Sequence, residues 1–465
     1  MVHAFFLSGY YILLDVNSSL VHVTDECVYR LILLINKDLE AGGKPASCAD
    51  FDKAKAALLK DFSEEDLDES IAEIKELIDK KALYTEDIYK DIAPKIASLD
   101  VNLKAMCLHI AHGCNLKCRY CFAGEGEYHE KGLMSFEVGK KAIDYLIKNS
   151  AGRRNLEVDF FGGEPLLNFE VVKQITGYAR SIEKQNKKNF RFTLTTNALL
   201  LNDEVTEFLN REMSNVVLSL DGRKEVNDRM RMKKDGSGSF DAIVPNIQRF
   251  VQLRGDKDYY IRGTFTRENK DFTRDIEEYL SLGFKNLSME PVVTDADYGI
   301  KEEDLPEIMD EYEKLAALYI KKRKEHDGFT FFHFMIDLDG GPCAVKRLKG
   351  CGSGTEYVAV TPFGEIYPCH QFVGQEGFKI GDLDSGITEK ALVETFKKAN
   401  LYTKDSCDKC FAKFFCSGGC PANSWNFSRD INKTYEIGCR MLRKRTECAI
   451  MIKAALADTD RGGGF

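Results

Sequence analysis

Two hydrophobic periods alternate along this chain, and their order sets the expected architecture. Residues 5–14 and 19–23 read as two apolar strands about the turn Asn17-Ser18-Ser19. Thr24-Asp25-Glu26 opens a helix through Tyr29, Leu31 and Leu34, and residues 51–59 are helical after a Gly-Gly break. Ser63-Glu64-Glu65-Asp66 is a helix N-terminus, followed by Ile71, Ile74, Leu77 and Ile78 at helical spacing. From residue 103 strand and helix then alternate. Strands are predicted at 103–110, 156–161, 192–196, 216–220, 259–266 and 287–291. Helices are predicted at 135–147, 169–183, 204–211, 240–253 and 272–282, the first with Ser135 as its N-cap. Six strand–helix units in succession predict an α/β fold, a parallel sheet with crossover helices. They fit a partial (β/α)6 TIM-type barrel, whose sites sit at the C-terminal rim of the strands. Residues 304–326 predict a long amphipathic helix with Leu315, Leu318 and Tyr319 on one face, bridging to a C-terminal region.

Composition refines this picture. At 465 residues the chain exceeds one hydrophobic core, and about two to four domains are expected. Hydrophobic residues at 44% and charged residues at 30% are usual for a globular protein. A formal net charge of −9 argues against nucleic acid as the main partner. The basic run Lys187, Lys188 and Arg191 reads as a solvated helix end or loop. With no run of about 18 apolar residues, no membrane span is expected. Residues 1–14 are apolar but lack a basic n-region and are interrupted at Asp15, so no signal peptide is expected. Fifteen cysteines in such a chain read as metal ligands rather than disulfides. The expectation is a reducing cytoplasm, that of an anaerobe.

The spacing of the cysteines carries the chemistry. His112-Gly113-Cys114-Asn115-Leu116-Lys117-Cys118-Arg119-Tyr120-Cys121-Phe122 has three cysteines as C-x₃-C-x₂-C. Three thiolates can hold three irons of a 4Fe–4S cubane and leave the fourth iron open to an amine and a carboxylate. A zinc knuckle, or three unrelated buried cysteines, is the structural alternative. The set Cys114, Cys118 and Cys121, with Tyr120 before the last cysteine, resembles the signature of the radical S-adenosylmethionine (SAM) superfamily. The resemblance implies that the open iron chelates the methionine end of SAM. One electron then releases a 5′-deoxyadenosyl radical.

Motifs at the predicted strand ends extend the resemblance. Phe161-Gly162-Gly163-Glu164-Pro165 after the second strand looks like the GGEP motif, whose glycines let backbone carbonyls accept from the SAM ammonium. Thr195-Thr196-Asn197 after the third strand forms a polar rim near the ribose. After the fourth come Ser219-Leu220-Asp221-Gly222 and Asn227-Asp228-Arg229-Met230-Arg231. In the related peptide-modifying enzymes the Ser holds the ribose and the Arg pairs with the SAM carboxylate; these map to Ser219 and Arg231. The implied SAM contacts are thus Tyr120, Gly162, Gly163, Glu164, Thr196, Asn197, Ser219 and Arg231. The family usually has His-Asp where this chain has Asn227-Asp228, so any role of that His is absent. Glu290, on the sixth strand, is a polar substrate contact, a SAM support or a structural ion pair.

Downstream of Cys343, the set Cys351, Cys369, Cys407, Cys410, Cys416, Cys420 and Cys439 resembles the seven-cysteine SPASM pattern appended to radical SAM enzymes that modify peptides. Zinc held by C-x₂-C pairs is the physical alternative. The resemblance implies two auxiliary 4Fe–4S clusters, three clusters in all. Cys407, Cys410, Cys416 and Cys439 would hold the fully ligated one. Cys351, Cys369 and Cys420 would hold the other, with Cys343 as its fourth ligand or with an open iron awaiting a substrate thiolate. Enzymes that oxidise Cys or Ser on sulfatases carry an Asp after the cysteine matching Cys369; here it is His370, a candidate base. Cys27, Cys48, Cys107 and Cys448 fit no cluster pattern and read as buried thiols. Trp425 reads as packing, and 461–465 as a fraying tail.

The order of parts most resembles the SCIFF-type maturases of cysteine-rich ribosomal peptides, which make thioether (sactionine) crosslinks. The expected division is 1–95, a winged-helix-like unit that adds a leader peptide to its sheet edge; 96–300, the barrel; 301–342, a helical bridge; 343–445, the SPASM domain; and 446–465, a terminal helix and tail. Implied partners are a cysteine-rich precursor peptide and an electron donor such as ferredoxin or flavodoxin. The alternatives are another radical SAM peptide modification, by C–C bond formation or Cys/Ser oxidation, and a non-catalytic zinc-bound peptide-binding protein.

Overall fold

The apolar run at 5–14 breaks into a hairpin. In the computed structural model, which describes residues 1–42, 51–99, 102–338 and 343–460, β1 (Val2–Leu7) and β2 (Tyr10–Asp15) pair antiparallel. Ser8 and Gly9 between them both have positive φ, 51° and 89°. That is the two-residue turn whose twist matches its strands. Hydrophobic residues on both sides hide it from pattern reading. β3 (Val21–Thr24) pairs with β2 and is left as the sheet edge. α1 (Glu26–Glu40) begins at Asp25, whose side chain accepts from the Val28 N–H. α2 (Phe51–Leu58) and α3 (Glu64–Asp79) complete the unit, the latter capped by Ser63. Leu13, Leu31, Ile32, Leu67 and Ile74 bury themselves in a core of its own. Cys48 and residues 461–465 lie outside the described residues.

The connector leaving this unit, ahead of α4 (Tyr89–Ser98), is fastened to the C-terminal region. Asp87 accepts from Lys413 Nζ at 2.6 Å and from the Tyr402 hydroxyl at 2.7 Å. The Lys413 side chain is 3% exposed and that of Asp87 19%. Removing one partner of a buried pair strands the other charge, at about 3–5 kcal/mol. Asp87→Ala is therefore expected to cost about 3 kcal/mol, the lower end because Asp87 keeps some solvent. The urea midpoint of the apo chain measures it, and an unchanged midpoint would show that this contact does not fasten the two parts.

β4 (Ala105–His112) is buried along its whole length. It is followed by β5 (Leu116–Cys118), β6 (Gly132–Leu133), α5 (Phe136–Lys148), β7 (Asn155–Gly162), α6 (Phe169–Asn186) and β8 (Asn189–Thr196). Then come α7 (Asp203–Glu212), β9 (Asn215–Ser219), α8 (Lys224–Met230), β10 (Arg231–Lys233), α9 (Phe240–Arg254), β11 (Tyr259–Phe265), α10 (Phe272–Ser281) and β12 (Asn286–Pro291). Strands β4, β7, β8, β9, β11 and β12 lie side by side in that order, all parallel, as expected for the six-stranded partial barrel. Val158, Phe160, Phe192, Leu194, Val216, Leu218 and Ile261 are fully buried in the main core.

The sheet does not stop at six strands. After α11 (Leu305–Lys324), β13 (Thr330–Phe331) adds parallel to β12. After α12 (Ala344–Lys349), β14 (Tyr357–Val360) adds parallel to β4 and continues antiparallel into β15 (Glu365–Tyr367). The barrel sheet therefore runs through the division expected at residue 343. The remaining helices are α13 (Lys390–Lys398), α14 (Lys413–Cys416), α15 (Pro421–Ser428) and α16 (Glu436–Asp460). α16 is continuous across the division expected between 445 and 446, because Met441 and residues 448–452 are buried in the main core. It packs along α11, and its Glu447 meets His3 of β1 at 2.9 Å. Among the described residues, no helix is long and apolar enough to cross a membrane.

Candidate active site

The loop after β4 is clamped from two sides. Gly163 N–H donates to the Ala111 carbonyl at 2.8 Å, and Glu164 N–H to that of Gly113 at 2.9 Å. The approach is too close for side chains: a Cβ on Gly163 would lie 2.1 Å from the Gly113 carbonyl oxygen, and one on Gly126 2.8 Å from Cys114 Cβ. The other side is a short ribbon. β10 pairs antiparallel with β5, and its register sets Arg231 opposite Cys118. No periodicity announces a three-residue strand, and this ribbon is what carries Arg231 to the cysteine loop.

Cys114, Cys118 and Cys121 form one electrostatically coupled set. Burial pushes the Cys118 thiol up to about 12 and that of Cys114 upward as well. Thiols held this way bind metal with release of protons. Two donors already face Cys114 Sγ: the Leu116 N–H at 3.4 Å and Asn197 Nδ2 at 3.5 Å. Among the described residues, no three His, Cys, Asp or Glu side chains are gathered as around a single ion.

A cavity of about 320 Å³ opens over this loop at the C-terminal rim. All eight residues expected at SAM line it: Tyr120, Gly162, Gly163, Glu164, Thr196, Asn197, Ser219 and Arg231, beside the three cysteines. Arg231 is buried; its Nη1 donates to the Tyr120 hydroxyl at 2.6 Å, and that hydroxyl donates to Asp221 at 2.5 Å. Arg231 Nε is buried with no hydrogen-bond partner among the described residues. An orphaned guanidinium N–H in a cavity is a site for an oxyanion, so the residues present fit the carboxylate of SAM. Glu164 is spent within the protein. It accepts from Thr196 Oγ1 at 2.8 Å, Asn197 N–H at 2.8 Å and Leu166 N–H at 3.1 Å. Burial outweighs these donors and pushes its carboxyl up to about 7. It ties the loops after β7 and β8 together.

The far wall of the cavity comes from the cysteine-rich region: His370 and Gln371, directly after Cys369, and Asn423 and Asn426 on α15, directly after Cys420. Burial lowers the His370 imidazole to about 4, with the positive charge of Arg262 adding to the shift. Its Nδ1 lies 3.3 Å from the Tyr357 hydroxyl. Glu290 lines the cavity and lies 2.9 Å from His333 Nε2. Asn227, in place of the usual His, braces the loop after β9: it accepts from Asp221 N–H and donates to Ser239 Oγ at 3.1 Å. Arg262, Asn423 and Asn426 carry no sequence signature. A polar i, i+3 pair on a helix immediately after Cys420 is the available signal for the two asparagines.

Beyond the cavity the downstream thiols fall into two coupled sets, Cys351, Cys369 and Cys420 in one, and Cys407, Cys410, Cys416 and Cys439 in the other. Cys343 is exposed at the start of α12. Cys27, Cys107 and Cys448 are buried free thiols, and Trp425 packs edge-on against Phe378 at 4.8 Å.

Residues 108–310 match the model of the Radical SAM superfamily. The barrel has the radical SAM fold. SAM and a 4Fe–4S cluster are the cofactors of this fold. A cysteine-type anaerobic sulfatase-maturating enzyme of Clostridium novyi is 24% identical over 348 residues, 69% of this chain and 88% of that protein. The solved structure of native anSMEcpe with bound AdoMet and Cp18Cys peptide superposes with TM-score 0.62 at 20% identity, over 77% of this chain and 99% of that one. Streptococcus suis SuiB bound to precursor peptide SuiA gives TM-score 0.51 at 17% identity, over 91% of this chain and 94% of that one. These two likenesses are of fold.

Proposed function

We propose that this radical SAM enzyme matures a cysteine-rich precursor peptide, joining a cysteine sulfur to an acceptor carbon as a thioether (sactionine) crosslink. The observation that carries the reading is the two-walled cavity: the Cys114–Cys118–Cys121 loop shares it with the helical segments that follow Cys369 and Cys420. Relatives of the same fold are bound to peptides, Cp18Cys in one and SuiA in the other. In this reading Cys114, Cys118 and Cys121 hold the SAM cluster. Cys351, Cys369 and Cys420, with Cys343 or a substrate thiolate, hold a second 4Fe–4S cluster, and Cys407, Cys410, Cys416 and Cys439 a third. Bound there, the first cluster and SAM supply a carbon radical that takes one hydrogen atom from the peptide.

The chain's own residues orient and enclose. Arg231 Nε would hold the SAM carboxylate, the Gly162 and Gly163 carbonyls its ammonium, and Thr196, Asn197 and Ser219 its ribose. His370 is neutral at pH 7 and adjoins the far wall, where it takes the proton of the substrate thiol. The crosslink would form with loss of one S–H and one C–H bond, and an auxiliary cluster would supply the acceptor for the remaining electron, with ferredoxin or flavodoxin as its partner. The free edge of β3 is where a leader peptide adds a strand.

Anaerobically reconstituted enzyme given a cysteine-rich peptide encoded beside it is expected to release 5′-deoxyadenosine. The peptide should lose two hydrogens per crosslink, each with one thiol lost to alkylation. A peptide unchanged in mass would overturn the reading. Oxidation of a single Cys or Ser is the second reading, favoured by the sulfatase-maturating relative. Fragmentation of the product decides, because only a thioether leaves sulfur bonded to two residues.

A further inference from the structure

Among the described residues two lysines are buried in the cysteine-rich region, and only one of them is ion-paired. Lys413 is paired with Asp87. Lys404 is 6% exposed, and among the described residues no carboxylate lies within ion-pair distance of its ammonium. Its Nζ donates to Ser424 Oγ at 3.3 Å, and Ser424 donates in turn to the Cys420 carbonyl at 3.1 Å. Its stem runs beneath the loop from Cys416 to Cys420, where a Cβ on Gly418 would lie 3.4 Å from Lys404 Cδ. Burial works against its charge, and the charges of Cys407, Cys416 and Cys439 of one set and of Cys420 of the other work for it.

A buried ammonium without a counter-charge is costly. Here the geometry supplies one only when the surrounding cysteines are thiolates. A cubane with its thiolate ligands is a net anion, and reduction adds a further negative charge. A fixed cation at short range in a low-dielectric surrounding stabilises the reduced form more than the oxidised one. We propose that Lys404 is the counter-cation shared by the two downstream cluster sites, a positioning residue that holds both of their reduction potentials up. The proposal rests on reading those seven cysteines as cluster ligands.

The test is a redox titration followed by electron paramagnetic resonance on the full, anaerobically reconstituted chain, with iron counted for each variant. Wild type is expected to hold about twelve irons. Lys404→Gln keeps a donor for Ser424 and removes the charge. Its two downstream clusters should be about tenfold less reduced at a fixed potential, about 59 mV for one electron. The cluster at Cys114, Cys118 and Cys121 should not move, because Lys404 is not among its neighbours. Lys404→Arg should stay near wild type. Loss of the downstream irons from Lys404→Gln, with retention in Lys404→Arg, also supports the proposal, since charge is then what holds them. Unmoved potentials in an iron-replete Lys404→Gln overturn it, as does an equal shift of all three clusters or iron loss from both variants. A wild-type chain with only about four irons overturns the cluster reading beneath it.

Discussion

Cys118→Ala is expected to abolish 5′-deoxyadenosine release and to remove about four of about twelve irons. Two thiols cannot hold three irons, and the cysteines whose charges act on Cys118 are Cys114 and Cys121. Cys118 lies opposite Arg231 in the ribbon, so the variant also leaves the orphaned guanidinium with nothing beneath it to present a ligand to. The matched control is Cys448→Ala. That thiol is fully buried in α16 against the main core and should keep all its irons, at a cost in stability only. Iron counting and product release measure both variants. An active Cys118→Ala, or an iron-poor Cys448→Ala, would contradict the assignment of ligands.

Arg231→Ala should weaken SAM binding by about 30- to 1,000-fold, the scale of about 2–4 kcal/mol for truncating one partner of a buried charged pair. Arg231→Lys should not restore it, because a point charge lacks the fork that serves Tyr120 and a carboxylate together. A second effect must be separated from the first. Asp221 is fully buried 3.9 Å from Arg231, and burial already pushes its carboxyl upward against the pull of that guanidinium. Removing Arg231 raises it further and destabilises the fold at neutral pH. The double variant Arg231→Met/Asp221→Asn removes both charges, so it should recover most of the stability while SAM still fails to bind. Calorimetric SAM titration beside thermal melts distinguishes the two. Wild-type SAM affinity in the double variant would remove Arg231 from the site.

The parts of the fold that repeat were legible, and the parts that join them were not. Six strands announced themselves because each is followed by a helix with its own cap or periodicity, as at Ser135. The cysteine spacings pointed to three sets because neighbouring ligands share one loop, as Cys114 to Cys121 do. By contrast, β14 completes the barrel edge from more than 240 residues downstream of β4, and no local pattern reports such a pairing. The β5–β10 ribbon is equally non-local, and without it the match at Arg231 was a motif rather than a position. The hairpin at Ser8-Gly9 was missed for the opposite reason: its residues are local, but the apolar runs on both sides conceal them. Lys404 was invisible because a lysine in a polar stretch reads as solvated until its burial is known.

One helix has a consequence for how the protein is made. α16 carries Cys439 near its start, brings Arg445 within 4.0 Å of Glu290 at the cavity, and holds β1 through Glu447 and His3. Emerging from the ribosome, the leading strand must wait for a partner 444 positions behind it. The barrel can form its six strands before then, but the set at Cys407, Cys410 and Cys416 lacks its last thiol until α16 has been translated. Iron delivered during synthesis would meet the barrel loop complete and the distal set still open. Any metal that the two sets take up would therefore be loaded in chain order, at the barrel loop first and the distal set last.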